Sequence, residues 1–171
     1  MTLITEHTAA DIPFRKRMVN ADIFVTEEAV NDMIEHAAEG VSRNEEIMGL
    51  LAGSMYKDDN GDYAIVTKAV TSGLISDDVS VRFDPSQMNM LFDALDDLDF
   101  NYVVIGWYHS HLGIGCFMSD TDNKTHVSVF GDKGFAMVLD PVREEMKVFK
   151  GSIDGTTEAS MVVIEDHTHI A

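Results

Sequence analysis

Tyr102-Val103-Val104-Ile105-Gly106-Trp107-Tyr108-His109-Ser110-His111 is an apolar run that ends in two imidazoles. A short apolar run of this kind reads as a buried strand. Residues i and i+2 of a strand point to one face. His109 and His111 therefore project together from the strand's end, while Ser110 points away. Seven residues follow His111, then Ser119, then two residues, then Asp122. Asp122 can close back from the next element as an oxygen ligand. Two histidines and one carboxylate, with a fourth position left to water, make a ligand set for catalytic zinc. A His-x-His pair alone is ordinary at strand ends. The full spacing behind a buried strand is what points to a metal site.

A zinc hydrolase also needs a base. Glu46 is the candidate, at the mouth of the strand-like run Ile47-Met48-Gly49-Leu50-Leu51-Ala52-Gly53. Position alone does not separate it from Glu45, and a solvated acidic residue is the better local reading.

Around these residues the chain alternates strands and helices. Ile23-Phe24-Val25 is a short strand. Thr26 suits a helix N-cap, with Glu27 and Glu28 favourable in the first turn. Ala29, Val30, Met33, Ile34 and Ala37 recur at helical spacing, and Gly40 closes that helix. Strands are expected over 46–56 and 63–71, joined by a hairpin turn at Asp58-Asp59-Asn60-Gly61-Asp62. Residues 72–80 read as a loop and 79–83 as a short strand. Asp84 and Pro85 open a second helix whose apolar face carries Met88, Leu91, Phe92, Leu95 and Leu98. A third helix spans about Asp120 to Phe130, with His126 read as a surface or supporting residue. Strands over 135–139 and 145–150 meet at a turn containing Pro141, and Met161 to Ile164 adds another. His167-Thr168-His169 reads as tail.

With 171 residues, 45% of them hydrophobic, the chain fits one soluble domain with a real core. The expected divisions are an N-terminal tail over 1–20, a catalytic domain over 21–165 and a C-terminal tail over 166–171. No run is long enough to span a membrane, and no apolar leader opens the chain, so a cytoplasmic protein is expected. The single cysteine, Cys116, excludes an internal disulfide and suits a reducing compartment. A formal charge of −18 argues against binding nucleic acid over a broad surface.

The chain resembles the JAMM (MPN-plus) metalloproteases, in the branch of the proteasome-lid deubiquitinase and the signalosome isopeptidase. The family pattern is a glutamate before Met-Gly, then His-x-His, seven residues, Ser, two residues and Asp. Here Glu46 stands two before Met48-Gly49, and His109, His111, Ser119 and Asp122 follow in register. Val104 to His111, Gly113 to Ser119 and Phe135 to Pro141 follow the branch closely. One departure is Leu112, where the branch has proline; it loosens a turn but removes no ligand.

The resemblance implies an α/β fold with a mixed, curved central sheet flanked by helices, cytidine-deaminase-like. It implies His109, His111 and Asp122 on Zn²⁺, Glu46 as the proton shuttle and Ser119 as oxyanion donor. The implied reaction is isopeptide or peptide hydrolysis after the terminal glycine of ubiquitin or a ubiquitin-like modifier. The alternatives are a JAMM peptidase of another substrate class, such as sulfur-carrier processing, and a non-catalytic MPN scaffold. A homodimer or an MPN-domain partner is implied as the form of assembly, although a chain ending soon after the catalytic domain argues against a lid-like complex. The segment from Ser72 to Phe83 corresponds to the part of relatives that pairs as a strand with the modifier's tail.

Overall fold

The computed structural model of the protein describes residues 20–70, 88, 91–93 and 103–165. The expected tails up to Val19 and from Asp166, most of the second helix and the Ser72–Phe83 segment lie outside the described residues.

Eight strands form one mixed sheet: β1 (Ile23–Thr26), β2 (Met48–Asp58), β3 (Gly61–Val70), β4 (Val103–Ser110), β5 (Phe135–Asp140), β6 (Glu145–Ser152), β7 (Gly155–Ala159) and β8 (Met161–Ile164). Their order across the sheet is β7-β6-β5-β4-β2-β3-β1-β8. The central pair, β4 with β2, is antiparallel, while β4–β5 beside it is parallel, as are the pairs of β1 with β3 and with β8. Two helices are fully described, α1 (Glu27–Ser42) and α2 (Asp120–Phe130).

α1 covers one face. Ala29, Val30, Met33 and Ala37 pack there on Ile47, Leu51, Ile105, Tyr108 and Met137. The other face gathers Met48, Leu50, Trp107 and Ala136 with the helical residues Met88 and Leu91, and with Phe130 of α2. The expected layering, a sheet between helices, is thus the layering observed. Central strands covered on both faces read as continuous apolar runs, which is why 102–108 shows no alternation.

Several details differ from the reading of the sequence. α1 does not stop at Gly40 but runs to Ser42, with Arg43 as its C-cap. A Cβ on Gly40 would meet the Glu45 carbonyl at 2.6 Å and Ile47 Cγ2 at 2.8 Å. That glycine therefore permits a close approach of the chain and does not terminate the helix. Ile34 is 48% exposed, and His36 takes a buried place on the helix instead. β7, a short polar strand, carries no apolar alternation and was not expected.

A bulge in β4 positions the histidines. Leu51 pairs with Gly106 but Ala52 with Val104, so Ile105 is an extra residue in the ladder. Bulges re-aim side chains and recur beside active sites. Beyond it, Tyr108 faces α1 while Trp107 and His109 share the opposite face, their rings stacked at 4.5 Å.

Candidate metal centre

His109 and His111 leave the C-terminal end of β4, and Asp122 stands in the first turn of α2. The strand end is locked on both sides. Ser110 N–H donates to the Ile47 carbonyl (3.0 Å) and His111 N–H to that of Leu139 (2.8 Å). The Ser110 hydroxyl accepts from Ile47 N–H at 2.9 Å, so it braces the backbone and turns away from the histidines.

Asp122 Oδ2 lies 3.2 Å from His109 Nε2 and 3.6 Å from His111 Nε2. Candidate ligand atoms of all three side chains fall within 4.8 Å of one another, and all three residues are buried. Donors bound about 2.0–2.1 Å from a tetrahedral ion are about 3.4 Å apart. The donor chemistry and the carboxylate spacings therefore both fit zinc.

The surroundings prepare each donor. His111 Nδ1 lies 2.7 Å from the Gly115 carbonyl. A carbonyl only accepts, so Nδ1 carries the proton and Nε2 is the ring atom left to face Asp122 or to bind an ion. Burial lowers the pKa of His109, against the opposing effect of Asp122, and favours the neutral ring that binds metal. For His111 burial acts downward, but hydrogen bonds to Asp122 and Gly115 outweigh it and raise the pKa. Burial would raise the pKa of Asp122; hydrogen bonds from His109, His111 and the Ser119 N–H instead hold it well below the usual carboxylate range.

Ser119 is the N-cap of α2. Its hydroxyl accepts from Asp122 N–H at 3.1 Å, and its own N–H donates to Asp122 Oδ2 at 2.9 Å. This reciprocal capping box fixes the carboxylate that faces the histidines.

Glu46 and Glu45 are separated by the register of β2 and β4. Met48 pairs with His109, and Ile47 bonds to Ser110. Continued by alternation, Glu46 falls on the histidine face. Its charge acts on both imidazoles. Glu45 instead pairs with Arg43 at 3.6 Å.

One contributor was not anticipated. Asp140, at the end of β5, is fully buried. Its carboxylate accepts from Gly113 N–H (3.0 Å), Gly115 N–H (2.7 Å), Val142 N–H (3.2 Å) and Arg143 N–H (3.1 Å). It so holds the loop whose Gly115 carbonyl orients His111. Gly113 and Gly115 both have positive φ, +87° and +90°, which a side chain would strain. The Asp-Pro pair after a strand was a visible turn signal; its service to His111 was not visible. His126, expected as a surface or supporting residue, is wholly buried, which removes the first of those two readings.

The chain matches the JAB1/Mov34/MPN/PAD-1 ubiquitin protease family over residues 19–131. It is 32% identical over 124 residues to the 26S proteasome non-ATPase regulatory subunit 14 of Caenorhabditis elegans, a match covering 71% of this chain and 38% of that protein. It is 32% identical over 125 residues to the ubiquitin carboxyl-terminal hydrolase RPN11 of Saccharomyces cerevisiae, covering 71% of this chain and 39% of the relative. The chain thus spans about two-fifths of the length of these curated relatives. Among solved structures, a protein from Desulfitobacterium hafniense superimposes with a TM-score of 0.61 at 23% identity, over 86% of this chain and 96% of that one. A structure described as a JAMM metalloprotease-like zinc site in the proteasome and signalosome matches with a TM-score of 0.50 at 16% identity, over 84% and 98%. These two likenesses show the fold.

Proposed function

Because the chain belongs to the JAB1/Mov34/MPN/PAD-1 ubiquitin protease family, in the branch of the proteasome-lid deubiquitinases, we propose that it is a zinc-dependent isopeptidase. Its substrates are conjugates of ubiquitin or of a ubiquitin-like modifier. The observation that carries the reading is the donor set itself: His109, His111 and Asp122, buried, with ligand atoms within 4.8 Å.

His109, His111 and Asp122 would hold the ion. Zinc there supplies a Lewis acid that polarises the scissile carbonyl and acidifies water. Glu46, on the histidine face, takes the proton from the attacking water and returns it to the leaving amine. The Ser119 hydroxyl donates to the developing oxyanion. It can do so while capping, because the cap uses an oxygen lone pair and leaves the proton free.

The modifier's extended tail is recognised by strand addition, in which main-chain hydrogen bonds supply affinity. Pairing with a second copy or another MPN-domain chain belongs to the same proposal.

The test is cleavage of linear and isopeptide-linked conjugates of ubiquitin and several ubiquitin-like modifiers, with zinc and with chelator. The expected result is chelator-sensitive cleavage after the modifier's terminal glycine. A chain that retains zinc but cleaves no conjugate overturns the proposal in favour of a scaffold.

A further inference from the structure

α2 docks on the sheet in an unusual way. Its buried residues are Asp122, Thr125 and His126, none of them apolar. A surface helix ordinarily holds to its sheet through an apolar stripe. Val129 and Phe130 are only partly buried. Polar contacts therefore share in fixing where the helix sits.

His126 makes two such contacts. Trp107 Nε1–H donates to His126 Nδ1 at 3.1 Å. His126 Nε2 lies 2.7 Å from the Lys133 carbonyl, in the turn before β5. An indole N–H only donates and a carbonyl only accepts. One tautomer satisfies both partners, the neutral ring with its proton on Nε2. His126 thus ties α2, β4 and the following turn together at one buried point.

That point lies directly beneath the metal centre. Asp122 and His126 are four apart on α2, and Trp107 and His109 two apart on β4, so each pair shares a face. One helical turn rises about 5.4 Å and two strand residues about 6.6 Å. Helix and strand are therefore joined by two nearly parallel rungs. The upper rung is His109–Asp122 at 3.2 Å. The lower is Trp107–His126, and it contains none of the three candidate ligands. The Trp107 ring also lies nearly flat against His109, at 21°.

We infer that His126 is a positioning residue for the metal centre: through Trp107 it holds α2 against β4 and sets the separation of Asp122 from His109 in advance of the ion. This rests on the reading of His109, His111 and Asp122 as ligands.

The probe is zinc alone, titrated into metal-free protein against a chromophoric chelator. Trp107 is the chain's sole tryptophan, so its emission reports the lower rung directly. In the wild type, zinc should bind and change that emission, because the stacked His109 ring becomes a ligand. His126→Leu fills the site but can neither accept nor donate. It should weaken zinc about 10–100-fold, the scale for a lost supporting hydrogen bond, and alter the emission of the metal-free protein. His126→Gln offers an acceptor and a donor and should recover most of the affinity. A packing role alone would leave zinc affinity unmoved in folded His126→Leu, and that result overturns the inference. Equal weakening in His126→Gln and His126→Leu does so too. Should His126→Leu not fold, Trp107→Phe keeps a ring on His109 but lacks the N–H; zinc affinity should fall there, and wild-type affinity overturns the inference. A wild-type chain that binds no zinc removes the metal reading itself and this inference with it.

Discussion

Ser119 carries two duties that substitution can separate. Alanine deletes both, costing about 0.5–2 kcal/mol as a lost N-cap and about 10²–10³ in turnover as a lost donor. Glycine caps a helix nearly as well but has no side-chain donor. Ser119→Gly should melt near the wild type yet turn over as slowly as Ser119→Ala, read by thermal melts beside kcat. Wild-type turnover in Ser119→Gly would leave Ser119 only its cap. The two glutamates allow a similar separation. Glu46→Gln should keep zinc but lose about 10²–10⁴ of the rate. Glu45→Gln gives up a partly exposed pair with Arg43, worth little, and should stay active. Zinc content and cleavage rate of both proteins check this, and zinc loss in Glu46→Gln would make that residue a ligand. The triad His109, His111 and Asp122 was legible in the sequence because one strand end and one helix start carry it. Asp140 was not, because its work is to collect four N–H groups from a folded loop, and no spacing records that.

At the scale of elements, the loop from Leu112 to Met118 depends on β5 for its shape. Three of the four N–H donors reach Asp140 Oδ1 and the fourth, Gly115, reaches Oδ2. Asp140→Asn keeps one acceptor oxygen and sets an amide NH₂ against an N–H. Leaving a buried donor unmet costs about 1–3 kcal/mol. The variant should lose that much stability in denaturant melts. It should also hold zinc less tightly in chelator competition, because Gly115 orients His111. Unchanged zinc affinity would confine Asp140 to stability. Most of the strands were readable from apolar runs, and α2 was expected at its observed place, but β7, short and polar, was not. The end of α1 was misread because Gly40 serves close packing, a tertiary demand that looks like a stop signal locally. His36 escaped notice because a stripe of apolar spacing has no place for a buried imidazole.

For the molecule as a whole, His36 links stability to acidity. It sits on the buried face of α1 with Nδ1 2.8 Å from the Tyr108 hydroxyl. Burial, with a smaller contribution from Arg43 and against Glu39, lowers its pKa to about 4. The unfolded chain takes up this proton near pH 6.5, before the folded one does, so stability rises with pH across that window. The contribution is whole above about pH 6.5 and is lost as the pH falls toward 4, on the order of 2–3 kcal/mol. His36→Gln should therefore lose less stability than the wild type between pH 7 and pH 4, in denaturant melts at each pH. Equal losses would mean that His36 does not set the slope. The layered fold was legible from alternating strands and helices, but the order of eight strands was not, since it depends on pairings between distant segments. One of those pairings has a mechanical meaning. β1 and β8 run parallel with four residue pairs between them, Ile23 opposite Met161 and Thr26 opposite Ile164. Tension applied between residues 22 and 165 drags the two strands lengthwise past each other and loads every bond between them at once. Tension between Met48 and Val70, the open end of the antiparallel β2–β3 hairpin, peels its bonds in turn. In single-molecule pulling the first geometry should rupture at a higher force than the second.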